Sequence, residues 1–227
     1  MTELPAPRLH IDHRVITDIE SAELSIGVAT EAWAVQRKSL FGQPIHAWLY
    51  GPDYTHAWWD LSISVDEHSG EDAEPAPDLS LPLDGLAFPA DLADITGLRL
   101  TESDQVETEA FYGNDAPALT QNRLKIGDWL DEQHLMVHWS AEYNWGGNRP
   151  EVIPFLYEGP VRFTGIQMTV KKDEDAPVLL SHALPRLALS GLDMILGREF
   201  VYDRKSGLSP DRRRWREVSW QRKPRPV

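Results

Sequence analysis

The chain contains no cysteine, so disulfides, thiolate nucleophiles, iron–sulfur clusters and cysteine zinc sites are all excluded. That absence suits a reducing compartment. Long apolar runs are missing too, since no stretch approaches the roughly 18 to 20 apolar residues that a membrane-spanning helix requires. From Met1 to Val15 the text is broken by Pro5, Pro7, Arg8, His10, Asp12 and His13, which leaves no signal-peptide core. A cytoplasmic protein without a membrane partner is expected. Nucleophile-elbow, phosphate-loop, dinucleotide-binding and H-E-x-x-H signatures are also lacking. No catalytic residue and no cofactor are therefore assigned.

What is present is an ordinary globular composition, 41% hydrophobic and 26% charged over 227 residues, enough to bury a continuous core. One β-rich domain over residues 1–227 is expected. The formal net charge is −14 and unevenly spread: residues 1–196 carry 12 Lys+Arg against 32 Asp+Glu, residues 197–227 carry 10 against 4. An acidic body repels nucleic acid and attracts basic partners. The RRRWR stretch at 212–216 invites a nucleic-acid reading, which the acidic body opposes. Packing of this basic segment on the chain's own acids, or on an acidic partner, is the better expectation.

Period-two alternation recurs along the chain and marks strands. Leu24, Ile26 and Val28 form one such series, and Ala32–Gln36 a second strand. Ile45–Val65 reads as a hairpin around Gly51-Pro52. The acidic, proline-rich text of 66–82 predicts a mobile loop. A short helix is expected at Pro89–Ile95, with Gly97 suited to its end. In the clearest β text, Leu135, Val137, Trp139, Ala141 and Tyr143 share the face expected to meet the core. After the Gly159-Pro160 turn the apolar phase switches at Gly165, from Val161 and Phe163 to Ile166, Met168 and Val170, which predicts a β-bulge. Leu184 to Leu196 has helical spacing after Pro185 and predicts an amphipathic helix. Phe200–Tyr202 and Trp215–Trp220 read as short strands joined by a polar loop containing Arg212, Arg213 and Arg214, and 221–227 as a frayed basic tail. The fold class expected is mainly β, an antiparallel two-layer sandwich or strongly curved sheet with two or three short helices.

Eight histidines raise the question of a metal. On a strand, His134 and His138 would lie about 13 Å apart, too far to share an ion with bonds near ~2.1 Å. His10, Asp12 and His13 are split by strand alternation, so no metal site is assigned. Nine tryptophans are the main compositional oddity. Trp58 and Trp59 are adjacent and point to opposite strand faces, and Trp145 sits in the NWGGNRP loop, so these three become candidate binding residues together with the acids Asp66, Glu67, Glu71 and Asp72. The function expected is non-enzymatic: an acidic binding protein that neutralises or chaperones a basic protein partner, such as an immunity protein against a bacterial toxin. The alternative is a carbohydrate-binding or carbohydrate-hydrolysing β-sandwich domain with tryptophan platforms and paired carboxylates.

Overall fold

The computed structural model describes residues 4–11, 14–38, 44–65, 79–83, 88–101, 111–112, 119–144, 152–206 and 209–223. In chain order the strands are β1 (Arg8–Ile11), β2 (Arg14–Ile16), β3 (Ile19–Ala29), β4 (Glu31–Lys38), β5 (Pro44–Tyr50), β6 (His56–Val65) and β7 (Leu79–Leu83). They continue as β8 (Arg99–Thr101), β9 (Phe111–Tyr112), β10 (Leu119–Trp129), β11 (His134–Asn144), β12 (Val152–Val170), β13 (Leu192–Ser206) and β14 (Ser209–Arg222). The α-helix α1 (Ala176–Ala183) lies between β12 and β13. The protein is mainly β and antiparallel. Among the described residues no helix is long and apolar enough to cross a membrane.

The chain divides into two compact units, residues 1–25 with 58–164 and residues 26–57 with 165–227. In the first unit, strands run in the order β8-β10-β11-β12-β3-β6-β7-β9, with β1 also paired to β12 and β2 to β1. Its core face is a row of opposed side chains: Leu9 faces Tyr157, Tyr157 faces Trp139 and Trp139 faces Leu124. All four are buried. The expected inward set Leu135, Val137, Trp139 and Ala141 is buried as well, whereas the side chain of Tyr143 lies outside the described residues. Trp139 meets Phe155 edge-on at 4.7 Å between ring centroids and donates its indole N–H to Asn122 Oδ1 at 2.9 Å.

Asn122 reaches the core because β10 slips register between Thr120 and Arg123, with Gln121 at φ 53. An extra residue there turns Asn122 inward beside Leu119, whose carbonyl it bonds at 2.9 Å. A side chain in this left-handed region is strained, and glycine is not. Gln121→Gly is therefore expected to raise stability by up to ~1 kcal/mol. Urea unfolding would show an unchanged or lower midpoint if the strain were absent.

In the second unit, β4 pairs with β5 and residues 166–170 of β12 pair with β14, which pairs in turn with β13. The burial phase along β12 switches at Gly165, as its apolar pattern predicts: Phe163 is 8% exposed and Ile166 0%. Gly165 has φ +91, and a Cβ there would collide with the Trp220 carbonyl oxygen. The bulge requires glycine.

Several expectations are corrected. β5 pairs with β4, from Glu31 opposite Tyr50 to Lys38 opposite Pro44, and not with β6; the Gly51-Pro52 turn is a 3-10 turn whose Gly51 N–H bonds Thr30 O at 3.1 Å. The expected loop 66–82 ends early, because Leu79–Leu83 is a strand on β6; residues 66–78 lie outside the described residues. The Pro89–Ile95 helix is a 3-10 turn over Leu92–Ile95. The amphipathic helix expected from Pro185 is displaced. α1 takes Pro177 in its first turn and ends before Pro185, and Leu192, Met194 and Leu196 belong to β13. Apolar residues two apart satisfied both periods, and a proline taken as a helix start stands after a helix end. Arg212, Arg213 and Arg214 lie within β14, and so do Gln221 and Arg222 of the expected tail. Lys223 is held by its N–H on Gly191 O at 3.0 Å and its ammonium on Ser190 O at 3.1 Å; residues 224–227 lie outside the described residues.

Candidate binding face

Backbone register in the first unit assigns the solvent side as firmly as the core side, because directly opposed residues of antiparallel strands project to the same face. One row across five strands reads Arg8 on β1, Glu158 on β12, His138 on β11, Lys125 on β10 and Arg99 on β8. The neighbouring row reads Val15, His10, Leu156, Ser140, Arg123 and Thr101. Further along, His134 stands opposite Arg162. All of these side chains are exposed or half-buried. The protein's overall negative sign is locally reversed on this face.

Pairing on the face is sparse. His138 Nδ1 lies 3.6 Å from Glu158 Oε1, and His134 Nδ1 lies 2.9 Å from Asp131 Oδ2. The Asp131 carboxyl sits below the usual carboxylate range: slight desolvation pushes it up, and is outweighed by the N–H donors of Gln133 and His134 and by the His134 ring. Among the described residues Arg8, Arg99, Arg123, Lys125 and Arg162 have no ion-pair partner. No group of three metal-ligating side chains occurs among the described residues.

The residues singled out from sequence fare differently. Trp58 is half-buried and shares the solvent phase of β6 with Asp60. Trp59 is corrected from candidate anchor to core: it is 0% exposed and stacks on Phe88 at 5.5 Å. Alternation decides between the two, since Trp59 falls in phase with Leu61, Ile63 and Val65, all buried. Trp145, Asp66, Glu67, Glu71 and Asp72 lie outside the described residues. The cationic row has no signature in the sequence, because its members are scattered from position 8 to position 162. Only Arg123 and Lys125, alternating with Leu124 and Ile126, carry a local signal of a basic outer face.

A second polar cluster lies in the second unit. Tyr50 donates its hydroxyl to Asp175 Oδ2 at 3.1 Å and accepts the Lys171 N–H at 3.2 Å. The Lys171 ammonium lies 4.3 Å from the centre of the Tyr50 ring and 4.9 Å from that of Trp215, a cation held between aromatic faces. Arg216 spans Asp173 at 3.3 Å and Glu199 at 3.1 Å, and its guanidinium is held above its ordinary range first by the Glu199 hydrogen bond. Within the basic segment, Arg216 thus pairs with acids of its own chain; the side chains of Arg212 and Arg213 lie outside the described residues. Burial pushes the Tyr50 phenol up to about 12, from 10.0. Because the folded value lies above the ordinary one, stability from the neutral phenol is full below pH 10 and is lost as pH rises through about 12. Tyr50→Phe is expected to cost about 1 kcal/mol at neutral pH and to flatten the alkaline loss of stability, read from unfolding midpoints across that range. An unchanged alkaline limb would remove Tyr50 as its source.

Together the fold and this face define a mainly β, antiparallel protein with a cation-rich, partly apolar sheet surface on an acidic chain. Comparison with known proteins finds no matching family, no matching curated protein and no matching solved structure.

Proposed function

We propose that the protein is a non-enzymatic binding protein that neutralises or chaperones a basic protein partner in the cytoplasm, in the manner of an immunity protein against a bacterial toxin. The observation that supports this reading is Trp58 beside Asp60 on the solvent phase of β6, in a chain of net charge −14. An aromatic side chain next to a carboxylate is the composition of a protein-interface anchor for a cationic partner. β6 leads in sequence into Asp66 and Glu67, which extend the same charge. Of the described tryptophans, Trp59, Trp139, Trp215 and Trp220 are buried and offer no open platform for the carbohydrate alternative, while Trp58 and Trp129 are half-buried.

The test is binding kinetics against a basic protein recovered from the native host. Charge steering makes association slow as salt rises, whereas an anchor governs dissociation. Trp58→Ala should speed dissociation at least about tenfold, and Asp60→Asn should mainly slow association. An acidic partner, salt-independent capture of a small sugar, or measurable turnover would each overturn the reading.

A further inference from the structure

We propose that the solvent face built by β1, β12, β11, β10 and β8 is a second binding surface, and that it takes a carboxylate-rich polypeptide segment carrying apolar side chains. The proposal goes beyond the reading above, which concerns a partner of opposite charge at Trp58 and Asp60. It begins with a local contradiction. The chain carries 36 acids against 22 bases, yet this face gathers cations. Lys125 stands directly opposite Arg99, and Arg123 lies two residues along the same strand. Opposed side chains in an antiparallel pair have Cβ atoms about 5 Å apart, and like charges at that distance destabilise the sheet. Arg8 and Arg162 add two more cations on β1 and β12. Among the described residues Glu158, opposite Arg8 and His138, is the one carboxylate of this row, and Lys125, Arg99 and Arg123 have no ion-pair partner; an external anion would relieve their repulsion.

The neighbouring row decides which anion. Leu156 and Val15 are exposed at 38% and 56% in a row that runs on through Ser140 to Arg123 and Thr101. A nucleic-acid backbone offers phosphates and no aliphatic side chains to cover Leu156 and Val15. An acidic polypeptide supplies both carboxylates for the arginines and apolar groups for Leu156 and Val15. Five strands spaced about 4.8 Å apart place Arg8 and Arg99 roughly 19 Å from each other, a span covered by about six extended residues. The guanidinium groups of Arg8, Arg99 and Arg123 suit bidentate carboxylate contacts.

The experiment uses the full chain and a fluorescein-labelled synthetic peptide of about eight residues alternating Glu and Leu, long enough to cross the row. Fluorescence anisotropy should report binding that weakens as salt rises. The triple variant Arg99→Gln, Arg123→Gln and Lys125→Gln should bind about tenfold more weakly, as removal of three exposed charge contacts predicts. Its urea midpoint should be unchanged or higher, since opposed like charges have been removed, so lost binding will not be confused with lost folding. Leu156→Ser should weaken the Glu-Leu peptide but not an all-Glu peptide. Trp58→Ala should leave both affinities unchanged, which separates failure here from failure of the basic-partner reading. Equal binding by wild type and triple variant would overturn the proposal. Tighter binding of a single-stranded oligonucleotide of equal charge would overturn it in favour of nucleic acid. A homodimer in sedimentation that the triple variant abolishes would overturn it in favour of a second copy of this chain.

Discussion

Trp139→Ala is expected to cost about 3–5 kcal/mol, the range for removing a large aromatic side chain from a packed core. Three losses combine at this position. The indole is 0% exposed in the central row of the first unit, between Tyr157 and Leu124. Its edge contact with Phe155 at 4.7 Å disappears, and so does its N–H donor to Asn122. Asn122 is itself 2% exposed, so a carboxamide oxygen loses a partner where water cannot easily replace it. Trp139→Phe should cost less than the alanine variant, because the ring volume is largely kept and only the hydrogen bond and part of the packing are lost. The check is chemical denaturation of both variants with a common slope. A loss below about 1 kcal/mol for the alanine variant would mean that the row does not carry the core.

Gly165→Ala should be comparably severe, at about 3 kcal/mol, although it adds a single methyl group. Two effects add. At φ +91 an L side chain pays about 1–2 kcal/mol for the left-handed backbone, and the new Cβ collides with the Trp220 carbonyl oxygen of the paired strand. Relief requires β14 to move away from β12, loosening the ladder that begins at Ile166 opposite Trp220. Gly97→Ala is the control: it has φ +82 but open space around the added Cβ, and should cost only the backbone part, ~1 kcal/mol. If the two variants lose the same stability, the close approach to Trp220 is not what demands glycine. Thermal or urea midpoints measured side by side decide the matter.

Gly165 was legible in the sequence because two apolar series of opposite phase met at a glycine, and only an inserted residue reconciles them. The Gln121 bulge was not legible. Its strand shows the same phase change, but the inward residue is Asn122, a polar side chain that no hydrophobic pattern counts as core. Its place depends on two partners, Trp139 and the Leu119 carbonyl, one of them seventeen positions away. Leu192 to Leu196 failed for a different reason. Closely spaced leucines with an isoleucine and a methionine satisfy helix and strand periods equally, and pairing with β14 decides between them.

The amino-acid sequence by itself determined that this chain is mainly β, which side of β11 faces inward, and where β12 must bulge, because alternation, turn residues and glycine's backbone freedom are local properties. Strand partners were decided only by tertiary structure. β5 turned to β4 rather than β6, and Arg8, Arg99, Arg123, Lys125 and Arg162 came onto one face although none is marked as special by its own neighbours in the chain. Pairing is a non-local choice, made by the summed burial of whole faces, and the charge pattern of the solvent side follows from that choice.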